Sequence, residues 1–222
     1  MLLAIDTSTS WISLALYDGT YILYETTWQS LHHHTVELAP AIDQLFDQTT
    51  TSKQQLTGLA VATGPGSFTS LRIGLAAVKG LSMALNIPVV GVPSLDVIAA
   101  AHPLDEKPLI AVLHAGRKRL AYVRYHVEGD SWQAQTKPDV ISPEDLVKTI
   151  ESPTLICGEL SREARTVIGR RWKNALIASP ALCLRRAGFL AEVGWERLIN
   201  GQSDDVVSLS PIYLSTTSAI PE

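Results

Sequence analysis

Apolar residues fall in short blocks with two different periods. Leu2–Ile5 is a continuous apolar run that ends at Asp6, as in a short buried strand. Trp11–Tyr17 alternates in the manner of a half-buried strand, Asp18-Gly19 is a hairpin turn signal, and Tyr21 to Trp28 reads as the returning strand. The period then changes. Val36, Leu38, Ala39, Ile42, Leu45 and Phe46 recur at helical spacing. Leu59–Thr63 returns to a strand pattern, and Gly64-Pro65-Gly66-Ser67 makes a tight turn with Ser67 placed as an N-cap. An apolar helix pattern runs from there to about Leu85. Ile87–Val92 is a further strand, and Pro93-Ser94-Leu95-Asp96 starts a helix that ends near His102-Pro103. The predicted order is β-β-β-α-β-α-β-α.

Leu104-Asp105-Glu106-Lys107-Pro108 is polar and carries a proline, which puts a domain boundary there and divides the chain into lobes 1–103 and 104–222. The pattern then partly repeats. Strands are predicted at 109–114 and 120–127, a third near 132–140, a helix at 143–150, a strand at 154–158 and a final helix at 182–199. Two successive β-β-β-α units predict an α/β protein of two related lobes.

The 222 residues are 46% hydrophobic with a formal net charge of −4, enough for a substantial core and against a surface that grips nucleic acid throughout. Lys and Arg are unevenly spread. Before residue 101 only Lys53, Arg72 and Lys79 occur, and later ones cluster at 117–119, 162/165, 170–173 and Arg185-Arg186. Solvated helix faces are the ordinary reading of such clusters, and a local RNA or phosphate contact is the rarer one. Cys157 and Cys183 form no CxxC pattern and read as buried thiols of a reducing, cytoplasmic compartment. Pro88, Pro93 and Asp96 interrupt the apolar region 84–101, so no membrane span is predicted there.

Three constellations bear on chemistry. Asp6-Thr7-Ser8-Thr9 ends the first strand, where an acid can hold Mg²⁺ and hydroxyls or amides can meet phosphate; a turn without a ligand is the alternative. The glycine turn lacks the lysine of GxxxxGK[ST], the spacing of GxGxxG and the serine of GxSxG. Its helix is unusually rich in small residues, with Gly74, Ala76, Ala77, Gly80, Ser82 and Ala84. Two glycines inside a helix cost about 1 kcal/mol each relative to alanine, so something must pack close to that backbone, either within the chain or on a second one. His32-His33-His34 reads as an exposed loop and helix start rather than a metal site, because adjacent helical residues diverge and no acid or cysteine completes a set. His114 ends the first strand of the second half where a second metal-binding carboxylate would be expected, which argues against autonomous Mg²⁺–ATP chemistry.

Leu3–Ser8, the His34…Leu38…Pro40…Ile42 helix start, the Gly64–Gly74 stretch and Gly91-Val92-Pro93-Ser94-Leu95 together resemble the TsaB (YeaZ) family. The second half adds Ala115-Gly116-Arg117 with Tyr122, and Pro211–Leu214. The resemblance implies a two-lobed actin/Hsp70-like (ASKHA) fold and a role in making threonylcarbamoyladenosine at position 37 of tRNAs that read codons starting with A. It implies a non-catalytic subunit that pairs with a TsaD-type catalytic chain, with a TsaE-type ATPase, and that meets tRNA through the complex. No cofactor is expected to bind firmly, with ATP and Mg²⁺ expected only at a complex interface. The implied partner surface comprises Leu71, Gly74, Leu75, Ala77, Val78, Gly80 and Leu81, with a homodimer through the same helices when the partner is absent. The candidate nucleotide or phosphate turn is Asp6, Ser8 and Thr9. Two features depart from the family pattern: Ser70 stands where glycine is usual, and His114 where an acid is common. The competing readings are a small ATPase or sugar-kinase relative using Asp6, Ser8 and Thr9, and a glycoprotease-like hydrolase, for which no credible metal or nucleophile is present.

Overall fold

A computed structural model describes residues 1–31, 33–170 and 173–214. Two mixed sheets with the same strand order form two lobes. In the first, β1 (Leu2–Asp6), β2 (Trp11–Tyr17), β3 (Ile22–Gln29), β4 (Gly58–Gly64) and β5 (Val89–Pro93) lie in the order β3-β2-β1-β4-β5. The first three strands are antiparallel neighbours, while β4 and β5 run parallel to β1. In the second, β6 (Leu109–His114), β7 (Leu120–Glu128), β8 (Ser131–Ala134), β10 (Thr154–Gly158) and β11 (Ala175–Ile177) follow the order β11-β10-β6-β7-β8. Again the hairpin strands are antiparallel, and β10 and β11 are parallel to the central β6. β9 (Asp139–Ile141) is an addition paired with the start of β7. The repeat suspected from the sequence is therefore present in topology. Its glycines agree too: Gly64 and Gly158, the last residues of the matching strands β4 and β10, both have φ of 106°.

The helices cover these sheets. α1 (His34–Thr49) and α2 (Phe68–Leu85) lie on one face of the first sheet, where Leu38, Ile42, Leu45, Leu75 and Val78 join Ile5, Leu14 and Val61 in one core. α2 meets the length and apolarity of a membrane-spanning helix. Its Leu71, Leu75 and Val78 are nevertheless buried on the sheet, as in a core helix of a globular lobe. α3 (Ser94–Ala100) bridges the cores, with Val97 packed towards the first sheet and Leu95 and Ile98 towards the second. α4 (Pro143–Lys148) and α5 (Arg162–Gly169) pack on the second sheet through Leu146 and Ile168.

The second half departs from the predicted pattern in three places. The strand expected near 132–140 is two strands, β8 and β9, separated by a break that contains Pro138. The final helix does not begin at Leu182: a 3-10 turn covers Pro180–Cys183, and α6 spans Ala187–Ile199. α5 and β11 are absent from the predicted order because both are short, eight and three residues, and carry too few apolar positions to set a period. α6 also crosses back. Ala187, Leu190 and Ala191 pack against Leu2, Ala4, Ala15 and Ala60 of the first sheet. The chain beyond it stays there, with Asp204 bridged to Val89 and the Ile212 N–H donating to the Thr63 carbonyl at 2.7 Å. The boundary at 104–108 thus separates the two sheets in sequence, while the C-terminal segment belongs spatially to the first.

Candidate functional site

The turn after β1 and the glycine turn after β4 meet at the centre of the molecule. The Ser67 N–H donates to the Ser8 carbonyl at 2.7 Å, and a Cβ on Gly66 would collide with that same carbonyl, so only glycine permits the approach. Ser67 caps α2 as expected. The Ser70 N–H reaches its Oγ at 3.4 Å and the Ser70 hydroxyl donates to it at 2.9 Å. Ser70 is thus accommodated as part of the cap.

The candidate phosphate turn is occupied by the chain's own side chains. Asp6 Oδ1 accepts from the Ser8 N–H at 2.7 Å, and Asp6 Oδ2 accepts from Arg185 Nε at 2.8 Å. Arg185 also donates to Glu159 Oε1 at 2.7 Å and to Thr9 Oγ1 at 2.8 Å, and Thr9 donates to Glu159 at 2.7 Å. The Asp6 and Arg185 side chains are each 1% exposed. Burial alone would lower the Arg185 pKa, but the adjacent Asp6 and Glu159 charges reverse this and raise it above the usual guanidinium range. Ser8 is buried, with its hydroxyl 2.6 Å from that of Ser94 at the start of α3. So Asp6, Ser8 and Thr9 do come together, but their oxygens already have partners.

Arg185, Glu159 and Ser94 escaped the sequence reading. In the sequence Arg185 has the pattern of a solvated helix face. It is instead 2% exposed, while its neighbour Arg186 pairs with Glu25. Arg165 is likewise turned inward, donating to the Ala178 carbonyl and Cys183 Sγ. Glu159 could have been found from the repeat, since it follows Gly158 as Pro65 follows Gly64. Of the three histidines, His32 lies outside the described residues. His33 is exposed, but His34 is buried with Nε2 at 2.8 Å from the Thr9 carbonyl, which corrects the fully exposed reading. Residues 215–222 are also outside the described residues. Among the described residues, no group of three or more His, Cys, Asp or Glu is placed to hold a metal. Cys157 and Cys183 are both buried free thiols, and burial pushes the Cys157 pKa up.

Beside this cluster is a cleft of about 700 Å³ between the lobes, lined by Thr9, Phe68, Leu113, His114, Glu159 and Tyr213 among others. Its mouth on the first lobe is a stack: the Arg72 guanidinium lies 3.7 Å from the Phe68 ring centre and donates to the Tyr213 hydroxyl at 2.9 Å.

A second feature is the outer face of the helix pair. The small-residue helix has two explanations, one for each glycine. A Cβ on Gly74 would collide with Thr7 Oγ1, so this glycine serves the chain's own packing. A Cβ on Gly80 would meet nothing within 4 Å. The residues expected at the partner surface divide in the same way. Leu71, Gly74, Leu75 and Val78 are buried inside the first lobe and are not available to a partner, because they form the stripe that packs α2 on the sheet. Ala77, Gly80 and Leu81 are at least partly exposed. They belong to a groove between α1 and α2, with Leu38, Ala39 and Ile42 on one side and Ile73 and Ala76 on the other, apolar except at its Gly80 end, where the Asp43–Lys53 ion pair lines it.

Two sheets of matched order around a central cleft define the class: this is a two-lobed actin/Hsp70-like α/β protein. The ROK hexokinase of Thermus thermophilus shares the fold at a TM-score of 0.51, 10% identity and coverage of 90% of this chain and 99% of that one. The structure "YeaZ from Pseudomonas aeruginosa" superposes with a TM-score of 0.80 at 23% identity, over 96% of this chain and 99% of that one. A family model described as "TsaD: tRNA N6-adenosine threonylcarbamoyltransferase" matches residues 28–175. The tRNA threonylcarbamoyladenosine biosynthesis protein TsaB of Bacillus subtilis is 28% identical over 223 residues, covering 98% of this chain and 95% of its own length. That of Escherichia coli is 26% identical over 231 residues, covering 98% and 96%. The chain belongs to this TsaD-related family, as a TsaB/YeaZ member.

Proposed function

We propose that the chain is a non-catalytic subunit of the cytoplasmic machinery that makes threonylcarbamoyladenosine at position 37 of tRNAs reading codons that start with A. It acts by pairing with a TsaD-type catalytic chain through the α1–α2 groove. TsaE-type ATPase and tRNA join through that complex, ATP and Mg²⁺ belong at its interfaces, and a homodimer uses the same groove when the partner is absent. The observation that carries the reading is the groove itself, with Gly80 at its floor. A helix glycine costs about 1 kcal/mol, a Cβ on Gly80 would meet nothing within 4 Å among the described residues, and a second backbone packed there accounts for it. The biosynthetic role comes from the TsaB relatives of similar length.

The non-catalytic part is supported by Asp6. Its carboxylate accepts from the Ser8 N–H through Oδ1 and from Arg185 Nε through Oδ2, and that buried guanidinium repels a metal ion from the same carboxylate. The test is co-purification with the catalytic chain and nucleoside analysis of tRNA after deletion. Pairing together with loss of the modified nucleoside supports the reading. Normal modification in the deletion strain overturns it, and ATP turnover by the isolated chain that disappears in Asp6→Ala favours a small ATPase instead.

A further inference from the structure

We propose that Arg185 is a clasp that fixes the two lobes relative to one another, so that the central cleft keeps one width instead of opening and closing. Its guanidinium joins three separate parts of the chain. Asp6 ends β1 of the first sheet and Thr9 lies on the turn after it, Glu159 lies one residue beyond β10 of the second, and Arg185 lies in the segment leading into α6. Each guanidinium nitrogen has a different acceptor, at 2.8, 2.7 and 2.8 Å. The planar fork therefore fixes direction as well as distance. Thr9 closes the ring by donating to Glu159 at 2.7 Å. Side-chain exposures of 1% for Arg185, 1% for Asp6 and 18% for Glu159 leave little solvent to screen or replace these contacts.

Stability alone is a poor reason for such a cluster, because well-packed apolar groups serve that end as well as a buried ion pair does. What the ionic arrangement adds is orientation. Because Arg185 leads into α6 on the first sheet, rotation of the lobes about the α3 region must break the two charge-assisted hydrogen bonds that cross between them, Arg185 to Glu159 and Thr9 to Glu159, both at 2.7 Å. Each end of this crossing is held within its own lobe: the Ser8 hydroxyl lies 2.6 Å from that of Ser94 in the first, and the Glu159 N–H donates to the Val112 carbonyl at 2.9 Å in the second. Proteins that close around ligands by hinge motion need an interface they can release, and here the clasp holds it.

The test uses spin labels on the full chain at Thr69→Cys and Lys118→Cys, exposed positions on opposite lobes, with both native thiols buried. The expected result is a single narrow distance distribution in the parent chain. It at least doubles in width in Arg185→Met and in the double variant Asp6→Asn/Arg185→Met, which removes the buried Asp6 charge together with its counterion and leaves only the more exposed Glu159 charged. A double variant that folds and stays as narrow as the parent overturns the clasp, as does a parent distribution that is already broad. A double variant that fails to fold also overturns it, since Arg185 is then required for folding rather than for lobe orientation.

Discussion

Thr7 lies against the backbone of Gly74, its Oγ1 in the space a Cβ there would need, while the same hydroxyl donates to the Ser70 carbonyl at 2.7 Å. The turn after β1 and the first turns of α2 are thereby joined at a point that admits no side chain. Gly74→Leu is thus expected to destabilise the monomer itself, by about 1–3 kcal/mol or more from overpacking against a buried turn. A denaturation midpoint unchanged from the parent would contradict this.

Gly80 behaves in the opposite way. Gly80→Ala is expected to stabilise the isolated monomer by about 1 kcal/mol, because the helix gains and nothing is displaced. Gly80→Leu and Ala77→Trp should fold and lose pairing with the catalytic chain, read by size-exclusion chromatography of the mixture. Retained pairing in both variants would remove the groove as the interface.

Arg185→Ala should cost about 3–5 kcal/mol in urea unfolding, because it leaves Asp6 as a buried charge without its counterion. Asp6→Asn/Arg185→Met should recover a substantial part of that loss. Equal losses in the single and double variants would show that the penalty is not the orphaned charge.

Asp96 accepts from the Tyr125 hydroxyl at 2.6 Å. Burial raises the Asp96 pKa, and the Tyr125 hydrogen bond opposes that rise. Removing the donor in Tyr125→Phe raises it further. The folded carboxyl then holds its proton to higher pH than the unfolded one, so stability is lost as pH climbs from about 4 through the raised value. The Tyr125→Phe penalty should be about 1–3 kcal/mol at neutral pH and clearly smaller near pH 4, where the carboxyl is protonated. A penalty independent of pH would rule out ionised Asp96 as its source.

The buried His102 Nε2 has no hydrogen-bond partner among the described residues, and burial lowers the His102 pKa against the opposing effect of the Leu182 backbone. The unfolded chain binds a proton there below about pH 6.5 and the folded chain does so only at lower pH, so stability must fall as pH drops through that window. His102→Gln should flatten this acid slope in thermal melts between pH 7 and 5, while an unchanged slope would assign it to another group.

Much of the first lobe was legible because its signals are local. The hairpin at Asp18-Gly19, the cap at Ser67 and the helical spacing of Leu38, Ile42 and Leu45 each specify an element within one or two turns of chain. The buried network was not legible, because it pairs residues up to 179 positions apart and a lone arginine before a helix has the composition of a surface. The partner surface was half legible. Helical spacing identified α2, but only the packing separates Gly74, which faces Thr7, from Gly80, which faces open space.

The return of α6 to the first sheet has a consequence for biosynthesis. Leu2, Ala4, Ala15 and Ala60 are all translated early, yet the helix that covers them ends at Ile199. During vectorial synthesis the first sheet must wait with one apolar face bare until Ala187–Ile199 has emerged. The nascent chain is exposed to chaperones and to aggregation throughout that interval, and truncations that remove α6 should yield insoluble product rather than a shorter folded lobe.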